Sequence, residues 1–361
     1  MIDVRFVGAD GKFQSIETQA IRIHQSLERF GGDSVRSRLT LLPQDAFRRR
    51  GILRRLPGKV MEGLLQETRI LVVVKSSLFR DFLEAAPALK KLCLERGVLL
   101  LSNPCDGPGA DGGDTSDVFS EEIADHVLAI SRLQKEALAA RRPADEVLLV
   151  EHASRLETAR RVHARPVVRK VIWENPVHHN PRYDARKAGM PREKYQELED
   201  LLQEILRSRG GELIFIDAWR ETQTYEEWER MMLEADIGIE CKALGSQYAD
   251  YQSQKPAVKV LNYMSLGLPV ICDSLPAYRD LGESEKDLLF ADTLDEWRTQ
   301  LTRLIDDPQL RARLGDSAHR TAARWSIENV SRRYIEFFKT IAAKPPGGAM
   351  TGTALRERSR G

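Results

Sequence analysis

QKPAVKVLNYMSLGLPVICDSLPAYRD, running from Gln254 to Asp280, is the stretch that decides the fold. It reads as a helix, a glycine stop, a buried strand and a loop. The helix starts near Pro256, because a residue in a first helical turn needs no N–H. Gly267 ends the helix, Pro269 bars its continuation, and Val270–Cys272 is a short apolar strand. Open α/β sheets bind ligands outside the carboxyl ends of their strands, so the loop after Cys272 lies on a ligand side. A helix N-terminus with lysines beside it, here Lys255 and Lys259, is also where a phosphate sits.

The same rhythm extends in both directions. Downstream of residue 166, apolar strands are predicted at Val168–Trp173, Leu213–Asp217, Ile237–Glu240, Val270–Cys272 and Leu288–Phe290. Helices are predicted between them at Arg192–Arg209, Tyr225–Ala235 and Pro256–Leu266. A helical tail, Leu294–Ile341, closes the pattern, with breaks at Asp307-Pro308 and near Trp325-Ser326. The first half carries apolar runs at Val4–Gly8, Arg38–Leu42, Ile70–Lys75, Val98–Ser102, His126–Ser131 and Val147–Val150. Amphipathic segments at Ile16–Phe30, Phe82–Arg96 and Ser131–Ala140 separate several of them. Continuous apolar strands alternating with helices predict a parallel, doubly wound α/β sheet, here twice in tandem. The expected organisation is a first domain over 1–153, a linker over 154–166, a second domain with closing helices over 167–342, and a disordered tail over 343–361. Two such units leave a cleft onto which both sets of strand ends can face.

Composition narrows the function classes. With 361 residues, 42% hydrophobic, 30% charged and a net charge of +1, the chain has room for two ordinary domains and suits a soluble globular protein. The near-neutral balance argues against a dedicated nucleic-acid binder. No apolar run approaches a membrane span, and the N-terminus enters a strand without a signal-peptide layout. Cys93, Cys105, Cys241 and Cys272 are scattered, which suits reduced thiols and a cytoplasmic setting. The basic, partly apolar stretch Arg48–Lys59 reads as a solvated helix face. Its competing reading is a weak peripheral contact with the inner face of a membrane.

The residues then carry a family likeness. Lys259-Val-Leu-Asn-Tyr-Met-Ser-Leu-Gly-Leu-Pro-Val-Ile with Asp280 beyond it, Glu234-Ala-Asp-Ile-Gly-Ile upstream, and Ala124-Asp-His-Val-Leu-Ala-Ile-Ser-Arg in the first half occur in the order of GT-B-fold glycosyltransferases. Asp306-Asp-Pro-Gln-Leu-Arg and Trp325-Ser-Ile match that group's closing helices. The chain resembles the retaining family 4 enzymes in particular, over most of residues 120–340. The resemblance implies two Rossmann-like domains, a nucleoside-diphosphate-sugar as co-substrate and no cofactor or bound metal. It also departs from the group. Two glutamates at fixed spacing, the second on the donor's ribose, are replaced here by Gln254 and Asn262. An Asn carbonyl can still accept a hydrogen bond, but without charge assistance.

A sugar-nucleotide donor asks for cations or N–H groups at its diphosphate, where charge accumulates as the sugar leaves. Lys259 and Lys255 are the candidates for that role, with solvated surface lysines as the alternative. The loop after the first strand of the second unit offers Asn175 and His178, with His179 and Arg182 nearby. Capping of the next helix competes with that reading, and the His-His pair has no third ligand at metal spacing. Trp219 is a candidate base platform and Lys242 a further cleft residue; packing is the competing role for Trp219. For the acceptor proton, Asp106 and His152 are the candidate bases, Asp106 also reading as an ordinary turn residue before Gly107. Asp10 and Lys12, in the loop at the end of the first strand, are expected on the acceptor side. The expected function is transfer of a sugar to a glycan, lipid-linked or small-molecule acceptor hydroxyl, with retention. Two alternatives remain open: a sugar-nucleotide epimerase on the same fold, and a non-catalytic nucleotide-sugar binder or partner subunit.

Overall fold

The computed structural model describes residues 1–10, 23–43, 58–74, 82–104, 122–150, 152–154, 164–174, 191–216, 225–242, 244 and 256–343. The first sheet holds β1 (Ile2–Asp10), β2 (Val35–Pro43), β3 (Ile70–Val74), β4 (Leu99–Asn103), β5 (His126–Ala129) and β6 (Val147–Leu149), in the order β2-β1-β3-β4-β5-β6. Every pairing is parallel, with Val4 opposite Ile70 and Leu101 opposite His126. β3, β4 and β5 are buried along their whole length. That burial explains their unbroken apolar runs, since helices cover both faces of a parallel sheet. The described helices of this half are α1 (Gly58–Leu65), α2 (Phe82–Arg96) and α3 (Arg132–Ala139), with helical residues at 23–30 as well.

The second sheet holds β7 (Lys170–Glu174), β8 (Glu212–Ile216), β9 (Ile237–Glu240), β10 (Val270–Cys272) and β11 (Leu289–Phe290), ordered β11-β10-β9-β7-β8 and again parallel. Its helices are α4 (Arg192–Ser208), α5 (Tyr225–Glu234), α6 (Val258–Ser265) and α7 (Pro276–Arg279). The chain closes with α8 (Leu294–Asp306), α9 (Pro308–Ala322) and α10 (Ile327–Ala342). From β7 the chain winds outward to β8, then returns to the other side of β7 to lay down β9. The C-terminal ends of β7 and β9 therefore flank the switch point, where a doubly wound sheet opens a crevice.

Local chemistry sets the breaks. Thr293 and Glu296 form a reciprocal capping box on α8. Asp307 caps α9, which has Pro308 in its first turn, and Ser326 caps α10. Gly267 ends α6 at φ 74°, with Gly267 N–H donating to the Met264 carbonyl at 2.9 Å and Leu268 N–H to Tyr263 at 3.1 Å. This is a Schellman closure, and its left-handed residue favours glycine. The start of α6 differs from the expectation. Its first hydrogen bond runs from Leu261 N–H to the Ala257 carbonyl at 2.9 Å, and Ala257 is the cap, so Pro256 stays outside the helix.

The last helix reaches back to the first sheet. Phe338 is fully buried and packs edge-on against Phe6 at 6.3 Å between ring centroids, while Phe337 meets His126 at 6.0 Å. Asn103 at the end of β4 donates to the Tyr334 hydroxyl at 3.4 Å. One buried cluster thus joins β1, β3 and β4 with α5, α6 and α10. Buried Arg311 on α9 donates to the carbonyls of Leu304, Ile305, Arg165 and Pro166, tying the approach to β7 to the end of α8.

Cys93, Cys241 and Cys272 are buried thiols outside any disulfide, and burial pushes Cys93 up to about 12. Cys105 lies outside the described residues, as do Arg48–Pro57 and the tail from residue 344. Among the described residues, no helix is long and apolar enough to cross a membrane.

Candidate functional site

Two features converge on the carboxyl ends of the strands. The first is a pocket with about 380 Å³ of empty space, counting the part open to solvent, between the two halves. Ile130, Ser131 and Arg132 bring the start of α3 to it, and His152 follows β6. Pro256, Ala257 and Val258 bring the start of α6 from the other side, with Ala277 of α7, Asp280 directly after it and Trp325 before α10. Ser131 caps α3 by accepting the Gln134 N–H at 3.2 Å. Ala257 supplies no side-chain cap to α6, so the helix presents backbone N–H groups and its positive dipole end here. Arg132 bridges the seam to Asp280, with Nε 3.2 Å from Oδ1.

The second feature is a buried cluster of charges at the switch point. Three apolar strands are followed by carboxylates: Glu174 closes β7, Glu240 closes β9, and Asp273 follows β10. All three are almost wholly buried. Lys259 reaches from α6 into this group, its Nζ 3.3 Å from Glu240 Oε1 and donating to the Glu174 carbonyl at 2.7 Å. Lys242 Nζ lies 3.8 Å from the same Glu240 oxygen and 5.4 Å from the centre of the Tyr278 ring. The Lys242 N–H donates to Asp273 Oδ2 at 2.8 Å. Tyr263, lying over Gly238, accepts the Glu174 N–H at 2.9 Å on its hydroxyl oxygen.

Burial dominates the electrostatics. It pushes the Glu240 carboxyl up from the ordinary range, Lys259 and Lys242 pull it back, and Glu174 adds to the rise. Burial, with Glu174 and Glu240 beside it, holds the Tyr263 phenol well above its usual value, so it stays protonated. Tyr278 is raised in the same way, by burial and then by Glu240 and Asp273.

Of the residues singled out in the sequence, His152 lines the interdomain pocket, while Lys259 and Lys242 meet at Glu240. Asn262 is fully buried on α6. Asp10 ends β1 opposite Pro43. Asp106, Lys12, Asn175, His178, Trp219, Gln254 and Lys255 lie outside the described residues. Sequence reasoning missed Glu240, Asp273 and Arg132 as members of the site. The available signal was the repeated placement of a carboxylate directly behind a buried apolar strand, as in Val-Ile-Trp-Glu174, Ile-Gly-Ile-Glu240 and Val-Ile-Cys-Asp273.

Two facing parallel α/β sheets, a cleft at their strand ends and a last helix returning to the first sheet define a GT-B fold. Residues 194–336 match the glycosyl transferase-like family model. Among solved structures, Anabaena HepE in complex with UDP and glucose has a TM-score of 0.64 at 11% identity, covering 94% of this chain and 100% of that one. Sucrose-phosphate synthase from Thermosynechococcus elongatus has a TM-score of 0.62 at 12% identity, covering 95% and 100%. A Listeria monocytogenes protein assigned as a UDP-N-acetylglucosamine 2-epimerase has a TM-score of 0.54 at 12% identity, covering 94% and 96%. No curated protein matches the chain in sequence.

Proposed function

We propose that the protein is a glycosyltransferase that moves a sugar from a nucleoside-diphosphate-sugar to an acceptor hydroxyl in the interdomain cleft, with retention and without a metal. The observation that carries this reading is the pocket lined from both halves, with the uncapped start of α6 on one side and His152 on the other. The helix start suits the donor's diphosphate. Lys259 and Lys242 supply positive charge beside it, and Lys255, Asn175 and His178 remain the candidates from the sequence for the same phosphates. Asn262 and Gln254 stand for the ribose contact and Trp219 for the base. His152 and Asp106 are the candidates for the acceptor proton, with Asp10 and Lys12 toward the acceptor. That HepE has been captured with UDP-glucose supports the donor class.

The test is a thermal-shift screen with UDP, GDP, ADP, dTDP and their sugar conjugates, followed by transfer assays with the conjugate that binds. A ligand stabilises the state it binds, so one nucleotide should raise the melting temperature with rising concentration. His152→Ala should then cut transfer at least tenfold while donor affinity stays within twofold. No stabilisation by any nucleotide would overturn the reading. Isomerisation of the donor without an acceptor would replace it with the epimerase reading, which the Listeria likeness keeps in view. Donor binding without transfer or isomerisation would leave a binding subunit.

A further inference from the structure

We propose that Glu240 is a proton acceptor linked to nucleotide binding: when a diphosphate draws Lys259 and Lys242 to itself, the Glu240 carboxylate they leave takes up a proton from solvent. The inference rests on the donor site proposed above, since it assumes that a diphosphate reaches the switch point.

The geometry supplies the reason. Glu240 has 1% of its side chain exposed, whereas Lys242 and Lys259 retain 11% and 21%, so the lysines are the more accessible members of the group. Both approach the same oxygen, Oε1, Lys259 at 3.3 Å and Lys242 at 3.8 Å. Glu240 Oε2 has no hydrogen-bond partner among the described residues. Among the described residues, its compensation is the two ammonium groups.

Every neighbouring element adds groups that face Glu240. β7 brings Glu174, α6 brings Lys259 and the Tyr263 phenol, β10 brings the Cys272 thiol with Asp273 beyond it, and α7 brings the Tyr278 phenol. The two phenols and the thiol are neutral, because burial raises each well above its usual value. Among the described residues, the other ionisable groups around Glu240 are Glu174, Asp273, Lys242 and Lys259. A diphosphate adds more negative charge and weakens the pull that the lysines exert on Glu240. Burial, with Glu174 beside it, then acts on the carboxylate and favours its neutral form. The bond formed is O–H on Glu240, and the proton comes from the buffer.

Isothermal titration calorimetry at about pH 7, in buffers of different ionisation enthalpy, reads the number of protons taken up on binding. The unaltered protein and Glu240→Gln are titrated with whichever of UDP, GDP, ADP or dTDP binds. The ligand's own phosphate contributes equally in both, so the difference isolates Glu240. The unaltered protein should take up more protons than Glu240→Gln, by up to one, and the variant should bind the diphosphate at least as tightly. Equal proton uptake in the two proteins, or a tenfold loss of affinity in the variant, would overturn the inference. If Glu240→Gln fails to fold, infrared difference spectra of the unaltered protein decide. Adding nucleotide should raise a protonated-carboxyl band, and a spectrum without one would overturn the inference. Failure of the unaltered protein to bind any of the four would instead remove the donor site itself.

Discussion

Lys259 neutralises a carboxylate that the fold has buried, and this makes it structural before it is anything else. Removing one partner of a buried pair leaves an uncompensated charge, which costs more than the pair contributes. Lys259→Met keeps the apolar stem and deletes the ammonium. With Lys242 still near Glu240, the expected loss is about 2–4 kcal/mol of unfolding free energy at neutral pH, read by urea denaturation. The pH dependence has a definite sign. Burial raises Glu240 above its ordinary value of 4.5, and losing Lys259 raises it further. Over that window the folded state holds a proton that the unfolded chain has released, so stability falls as pH rises. The penalty should be small at about pH 5, larger at about pH 8, and a constant penalty would contradict the assignment. The lysine beside a helix start was legible in the sequence; its partner was not, because Glu240 precedes it by nineteen positions along the chain.

At the scale of elements, α6 and β9 depend on one close approach. A Cβ placed on Gly238 would lie 2.5 Å from Cγ of Tyr263. Tyr263 is buried, and its hydroxyl holds the last N–H of β7 at 2.9 Å. Gly238→Ala should therefore lower stability by about 1–3 kcal/mol through overpacking, read by chemical denaturation. Unchanged stability would mean that Tyr263 can withdraw without loss. The helix breaks in the C-terminal region were readable, since Thr293, Asp307-Pro308, Gly267 and Ser326 act on their own backbones within one turn. The start of α6 was misread by two residues. Proline is compatible with a first turn, but compatibility does not say where the first hydrogen bond closes.

For the whole molecule, the decisive contact is α10 on the first sheet. Phe338 packs against Phe6, Tyr334 and Phe337, with centroids 6.3, 5.8 and 5.7 Å away. Phe338→Ala should cost about 3–5 kcal/mol, because the cavity lies where two sheets share one core. Thermal unfolding should drop accordingly, and a change below about 1 kcal/mol would show that α10 is not part of the first unit's core.

The amino-acid sequence by itself determined the parallel strands, the helices between them, the tandem repeat of that pattern and the stops at Gly267 and Asp307-Pro308. These depend on apolar periodicity and on side chains acting on nearby backbone, which are local properties. Only the tertiary structure decided that Glu174, Glu240, Lys242, Lys259 and Asp273 form one buried charged group, and that His152 shares a pocket with the start of α6. Those residues come from different strands and helices, and their distances follow from strand order, which no local pattern encodes. The stretch from Gln254 to Asp280 thus announced a ligand-side helix, while the sheet it packs on decided that Lys259 first meets a buried carboxylate.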